Sequence, residues 1–153
     1  MRRRAVLLAP VALAACGFAP VYGPGGDGLR LRGRVVIEAP QTEDGTRLRR
    51  ALEDRLGPSA GPLRLAVTPE IATESAAVTR SGAITRYTLA GRTLWRLSEG
   101  DRLLAEGETG GTASYSATGS TVAVDAAARD ARERLMQTMA DAVLRRLLLL
   151  DLA

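Results

Sequence analysis

Apolar positions along the chain change period several times, and each change marks an element. Arg34 to Ala39 is a short β-branched run that predicts a strand ending before Pro40. Over Asp44 to Leu56, Leu48, Ala51, Leu52 and Leu56 fall on one face at three- and four-residue steps, which predicts a helix, and Gly57-Pro58 supplies its stop. Leu63, Leu65 and Val67 alternate with polar residues, so Leu63 to Thr68 reads as a strand. Continuation past Pro69 would place that part at an edge or a bulge. Ala76 to Leu97 reads as a hairpin with Ser81-Gly82 as its turn. On the returning strand Tyr87, Leu89, Gly91, Thr93, Trp95 and Leu97 take one face, and Arg86, Thr88, Ala90, Arg92, Leu94 and Arg96 the other.

Ser98 to Asp101 is a second turn, and Leu103 to Tyr115 a last strand, weakened or bulged by Gly107, Gly110 and Gly111. A closing helix, capped by Ser120 or Thr121, runs to about Leu150 with Val124, Ala128, Ala131, Leu135, Met139, Ala142 and Leu147 recurring at helical spacing. Asp125–Arg129, Asp130–Arg134 and Asp141–Arg145 are acid-to-base pairs at i, i+4 on it. Leu147 to Leu150 is apolar all round and too short to span a bilayer, so burial in the domain or at an interface is expected. The order β-α-β-β-β-α predicts an α+β fold with two helices on one face of a roughly four-stranded, mostly antiparallel sheet.

The first sixteen residues follow a different pattern. Arg2 to Arg4 precede an apolar stretch from Ala5 to Ala15, eleven residues where a bilayer-spanning helix needs about 20. That is the form of a signal-peptide core. The stretch ends in Leu13-Ala14-Ala15-Cys16, which resembles a bacterial lipobox; the resemblance implies cleavage before Cys16 and acylation of its thiol and new amine. Residues 1–15 are thus expected as a lipoprotein signal peptide, 16–33 as a lipidated tether rich in Gly and Pro, and 34–153 as one domain. Gly17 after the cysteine is compatible with outer-membrane sorting.

Composition narrows the chemistry. The 153 residues include 21 basic and 17 acidic ones, no His and one Cys, and every base is Arg. Without His and with one Cys, a Cys/His zinc site, a Ser-His-Asp or Cys-His catalytic set and an intrachain disulfide are excluded. The net charge of +4 falls to +1 once Arg2, Arg3 and Arg4 are set aside, so the mature chain carries no signature of nucleic-acid binding. No phosphate-binding glycine loop is present, since the P-loop pattern needs a Lys and Gly23 to Gly28 does not open a helix after a strand. Glu106 and Glu108 share a strand face and could form an acid pair, but no assembled site accompanies them. No catalytic residue, cofactor or metal ligand is predicted.

Three stretches then carry a family resemblance. CGFAPVYG (Cys16 to Gly23) resembles the mature start of the alphaproteobacterial LPS-assembly lipoprotein family LptE. SGAITRYTL (Ser81 to Leu89) is similar to the family's hairpin and Thr-Arg strand, and Ser114 to Leu147 to its Ser-Tyr stretch and Ala-rich last helix. Ser116 stands where Asn is frequent, and Val122-Ala123 where an aromatic-Ala pair is common. The resemblance implies a small α+β sandwich that plugs and helps assemble the outer-membrane barrel LptD and takes part in placing lipopolysaccharide in the outer leaflet. It implies an outer-membrane location on the periplasmic side, anchored through Cys16, with the barrel and lipopolysaccharide as partners. Charge and position single out Arg80 and Arg86, flanking the hairpin tip, and Arg92 and Arg96 on the strand face as candidate contacts to lipopolysaccharide phosphates. The alternative reading is an auxiliary lipoprotein of an ABC-type lipid transporter; a carboxylate-dependent cell-wall hydrolase using Glu106 or Glu108 is the third.

Overall fold

The computed structural model describes residues 31–78 and 82–150. The signal-peptide, Cys16 and tether expectations, and Arg80 and Ser81 of the hairpin tip, lie outside the described residues. The elements follow in the predicted order: β1 Val35–Glu38, α1 Glu43–Leu56, β2 Leu63–Val78, β3 Ile84–Glu99, β4 Arg102–Ser116 and α2 Thr121–Leu147. The sheet order is β1-β2-β3-β4; β1 pairs with β2 in parallel through α1, and the remaining pairs are antiparallel.

Local chemistry explains the helix boundaries. Thr42 caps α1 by accepting from the Gly45 N–H at 3.1 Å, and Glu43 and Asp44 in the first turn complement the helix dipole. Gly57, at φ +76°, ends the helix by donating its N–H to the Glu53 carbonyl. Ser120 caps α2 through the Ala123 N–H. The two helices run in the same direction: Asp44 meets Arg132, Arg47 meets Glu133, and Arg55 meets Asp141. Arg55 is the strongest tie between them. Its Nε donates to Asp141 at 2.5 Å, while Nη1 and Nη2 reach Gln137 Oε1 at 2.8 Å and the Gln137 carbonyl at 3.3 Å. Asp141 therefore pairs across the helix interface rather than with Arg145 on its own helix.

A single core lies between the helices and one face of the sheet. Leu48, Ala51, Leu52 and Leu56 of α1 and Leu135, Met136, Met139, Val143 and Leu147 of α2 close over Val35, Leu63, Leu65, Val67, Trp95 and Leu97. Each buried aliphatic of this size contributes roughly 1.5–3 kcal/mol relative to exposure. Leu147 is fully buried and Leu148 and Leu150 pack partly on the core, but Leu149 is 78% exposed. Val122, at the position that departs from the family pattern, is 76% exposed in the first turn of α2.

One detail of the strands differs from the sequence reading and one agrees with it. The glycines of β4 make no bulge, for the pairing of β3 with β4 is continuous from Arg86–Ser116 to Leu97–Ala105 and shifts only between Leu97 and Ser98. Gly107 and Gly111, like Gly91 of β3, are seats for side chains instead. A Cβ on Gly91 would lie 2.6 Å from Met139 Sδ, one on Gly111 2.9 Å from Thr138 Cγ2, and one on Gly107 2.8 Å from Trp95 Cζ2. Strand β2, for its part, continues through Pro69 to Val78, while β1 accompanies it only to Ala66, so Pro69 lies on a free edge.

Candidate functional site: the open face of the sheet

Alternation along three long strands gives the sheet a second face that no helix covers. In β2 the residues Arg64, Ala66, Thr68 and Glu70 are exposed while Leu63, Leu65 and Val67 are buried; in β3 Arg92, Leu94 and Arg96 are exposed while Thr93, Trp95 and Leu97 are buried. Strand β4 adds Glu106, Glu108, Gly110, Thr112, Ser114 and Ser116 to the same outer face.

Register decides which charges meet. Glu70 lies opposite Arg92, and Arg96 opposite Glu106. Arg92 Nη2 donates to Glu70 at 2.5 Å and its Nη1 stands 3.5 Å from Glu108, on the diagonal neighbour. The hydrogen bond and charge of Glu70, reinforced by the charge of Glu108, hold the Arg92 guanidinium even more firmly protonated than usual. Arg96 donates from Nε and Nη2 to one oxygen of Glu106, at 3.1 and 3.0 Å. Arg64 reaches Glu38 of β1 at 2.6 Å. Further along, Thr88 and Ser114 share a hydroxyl bond of 2.9 Å. The face is therefore a ladder of cross-strand pairs, well solvated and close to neutral. Between the pairs, Ala66, Thr68, Leu94, Glu106 and Glu108 line an open concavity of about 540 Å3, with Leu94 43% exposed.

The structure brings three of the predicted arginines to this one face but does not gather them. Arg92 and Arg96 are engaged by glutamates. Arg86 lies exposed near the far end of β3, opposite Ala77 and Ser116, with no ion-pair partner among the described residues. It stands about 20 Å along the strand from Arg92, too far for one phosphate to touch both. Arg80 lies outside the described residues. The sequence reading placed Leu94 on this face but missed Glu70, because only the strand register puts Glu70 beside Arg92.

A smaller cleft of about 130 Å3 opens on the helix side between Arg47, Thr73, Leu89, Tyr115, Arg129 and Arg132. Two of its cations are paired: Arg47 contacts Glu43, Asp44 and Glu133, and Arg132 contacts Asp44, while Arg129 donates to the Asp125 backbone carbonyl. Among the described residues no group of three or more His, Cys, Asp or Glu side chains could hold a metal ion. Nor is any described helix long and apolar enough to cross a membrane. What the outer face offers is an extended surface for another molecule rather than a reaction centre.

Comparison with known proteins bears on who that molecule is. A family model described as "LptE: Lipopolysaccharide-assembly" matches residues 33–147. A solved lipoprotein structure from Caulobacter crescentus is 22% identical, with a TM-score of 0.58 over 74% of this chain and 87% of that one. Rare lipoprotein B from Shewanella oneidensis is 11% identical, with a TM-score of 0.56 over 74% and 92%. Lipoprotein B from Nitrosomonas europaea is 18% identical, with a TM-score of 0.56 over 74% and 81%. At these identities the likeness is one of fold. No curated protein matches the chain by sequence.

Proposed function

The chain belongs to the LptE lipopolysaccharide-assembly family, and from that premise we propose that it is a non-catalytic lipoprotein that plugs and helps assemble an LptD-type β-barrel. In that role it takes part in inserting lipopolysaccharide into the outer leaflet, held at the periplasmic side of the outer membrane by acyl chains on Cys16. The family match over almost the whole described domain carries the lipopolysaccharide-assembly role. The bare sheet face supports the finer reading. It is long and largely charge-paired, which suits repeated polar contacts with a barrel wall better than insertion into lipid.

Within this reading Arg86, and Arg80 beyond it, are the candidates for a lipopolysaccharide phosphate, since Arg86 has no carboxylate to give up. Arg92 and Arg96 would each have to exchange a glutamate for the phosphate, so their first role is to hold the face in its paired form.

The deciding experiment is affinity capture from detergent-solubilised outer membranes with a tagged copy that keeps Cys16. Recovery of a large β-barrel in near-stoichiometric amount is the expected result. Recovery of ABC-transporter components, or of no membrane partner, would overturn the plug reading. A Cys16→Ser copy should lose incorporation of labelled palmitate; retention of the label would refute the anchor.

A further inference from the structure

Most arginines of the described domain are ion-paired, on the sheet face and between the helices. Seven exposed ones are not, and four of these share one end of the molecule. Arg32 and Arg34 sit in the turn that leads into β1. That turn lies against the C-terminus of α1, because the Gly33 N–H donates to the Leu56 carbonyl at 2.8 Å and Arg32 Cγ would lie 3.6 Å from a Cβ on Gly57. Arg145 and Arg146 occupy the last turn of α2. The helices are parallel and Arg55 near the end of α1 binds Asp141, so the next turn of α2 reaches the same end as Leu56. None of the four takes part in an ion pair among the described residues. The exposed Leu149 stands beside the second pair. Among the described residues, the exposed acids of this end that have no ion pair are Asp54 and Asp101, fewer than these arginines.

This is also the end at which the chain enters the domain, at Leu31. The fourteen residues from 17 to 30 join it to Cys16, and extended they span at most about 50 Å. An acyl anchor on Cys16 keeps this end within reach of the bilayer, while the β2–β3 arm leads away from it along strands about 50 Å long. Four unpaired guanidinium groups and an exposed leucine are the composition of a surface that meets phosphate headgroups, with arginine making forked contacts and leucine entering the headgroup boundary.

We propose that this end of the domain rests on an anionic phospholipid surface, bound through Arg32, Arg34, Arg145 and Arg146 with Leu149 at the boundary. The contact acts as a second, reversible attachment that orients the domain on the membrane. It rests on the Cys16 anchor only for the membrane's proximity; the headgroup contact itself belongs to the folded domain.

The test uses the mature chain from residue 16 carrying Cys16→Ser, so that no acyl chain contributes. Sedimentation is measured with vesicles of phosphatidylcholine alone and of an equal mixture with phosphatidylglycerol. Binding is expected only with phosphatidylglycerol, and should fade as salt is raised. R32S/R34S and R145S/R146S should each lower partitioning at least about fivefold. The charge-matched R50S/R129S should leave it unchanged, and R145K/R146K should restore most of it. Unchanged melting temperatures show that all variants are folded. Equal binding to both vesicle types, or equal loss in R50S/R129S, overturns the inference. So does an absence of vesicle binding with weaker barrel capture by R145S/R146S, which would make the patch a barrel contact and leave the plug reading standing. Intact vesicle binding with no barrel captured at all would do the reverse.

Discussion

Replacing Gly91 by alanine isolates the fit between α2 and the sheet. Two effects oppose each other. Alanine in a strand interior gains about 0.5–1 kcal/mol over glycine through the unfolded chain's lost freedom. Against that, the new Cβ would lie 2.6 Å from Met139 Sδ and 3.1 Å from both methyl carbons of Leu135, closer than such contacts occur. Met139 is a flexible side chain, but it and Leu135 are fully buried, so the sulfur has no open space to move into. Overpacking of this kind costs about 1–3 kcal/mol. The clash wins, and G91A should destabilise the domain by about 1–2 kcal/mol, lowering the melting temperature by about 4–8 °C for a domain of this size. The discriminating measurement is a double-mutant cycle by urea unfolding. In the Met139→Ala background the closest obstruction is gone and Leu135 has freed space to shift by a few tenths of an ångström, so Gly91→Ala should change from destabilising to neutral or stabilising by up to about 1 kcal/mol. Stabilisation by G91A in the wild-type background, or the same cost in both backgrounds, would refute the close seating of α2 on Gly91.

Other perturbations probe the rest of the architecture. Arg55→Met should cost about 1–2 kcal/mol in urea unfolding, because it removes the bonds to both Asp141 and Gln137, one of them charge-assisted; Asp141→Asn should cost less. Thr93 is fully buried and its hydroxyl meets Met139 Sδ at 3.3 Å, a weak partner, so Thr93→Val should alter stability by no more than about 0.5–1 kcal/mol. Leu94→Asp puts a charge into the concavity of the open face, and should leave melting unchanged while reducing barrel capture at least about tenfold.

The elements were legible in the sequence because their periods are clean. Leu48, Leu52 and Leu56 marked α1, and the alternation from Tyr87 to Leu97 marked β3 with the correct faces. Register was not legible. A two-residue turn at Ser81-Gly82 would set Glu70 opposite Thr93, but the observed pairing places Val78 opposite Ile84 and Glu70 opposite Arg92. A slip of one residue reverses which side chains share a face, and no local pattern reports it. The shift between Leu97 and Ser98 has the same effect on Arg96 and Glu106. That is why arginines 92 and 96 looked free in the sequence and are paired in the fold. The glycines of β4 misled for a related reason: what Gly107 and Gly111 accommodate comes from Trp95 and from α2, both remote in sequence. The proposed lipobox stands apart, since a processing signal is read as linear sequence.

The described residues build a core of their own between helices and sheet, and Arg64, Arg92 and Arg96 on the uncovered face are already paired. A partner therefore meets a finished, rigid surface and does not have to order it. Association of that sort has a recognisable calorimetric profile: a small heat-capacity change, set by the area covered and not by the folding of a segment. It also places differences in affinity between related partners in the rate of leaving, so that a stable assembly is one whose Arg–Glu ladder is slow to release a neighbour, not one quick to find it.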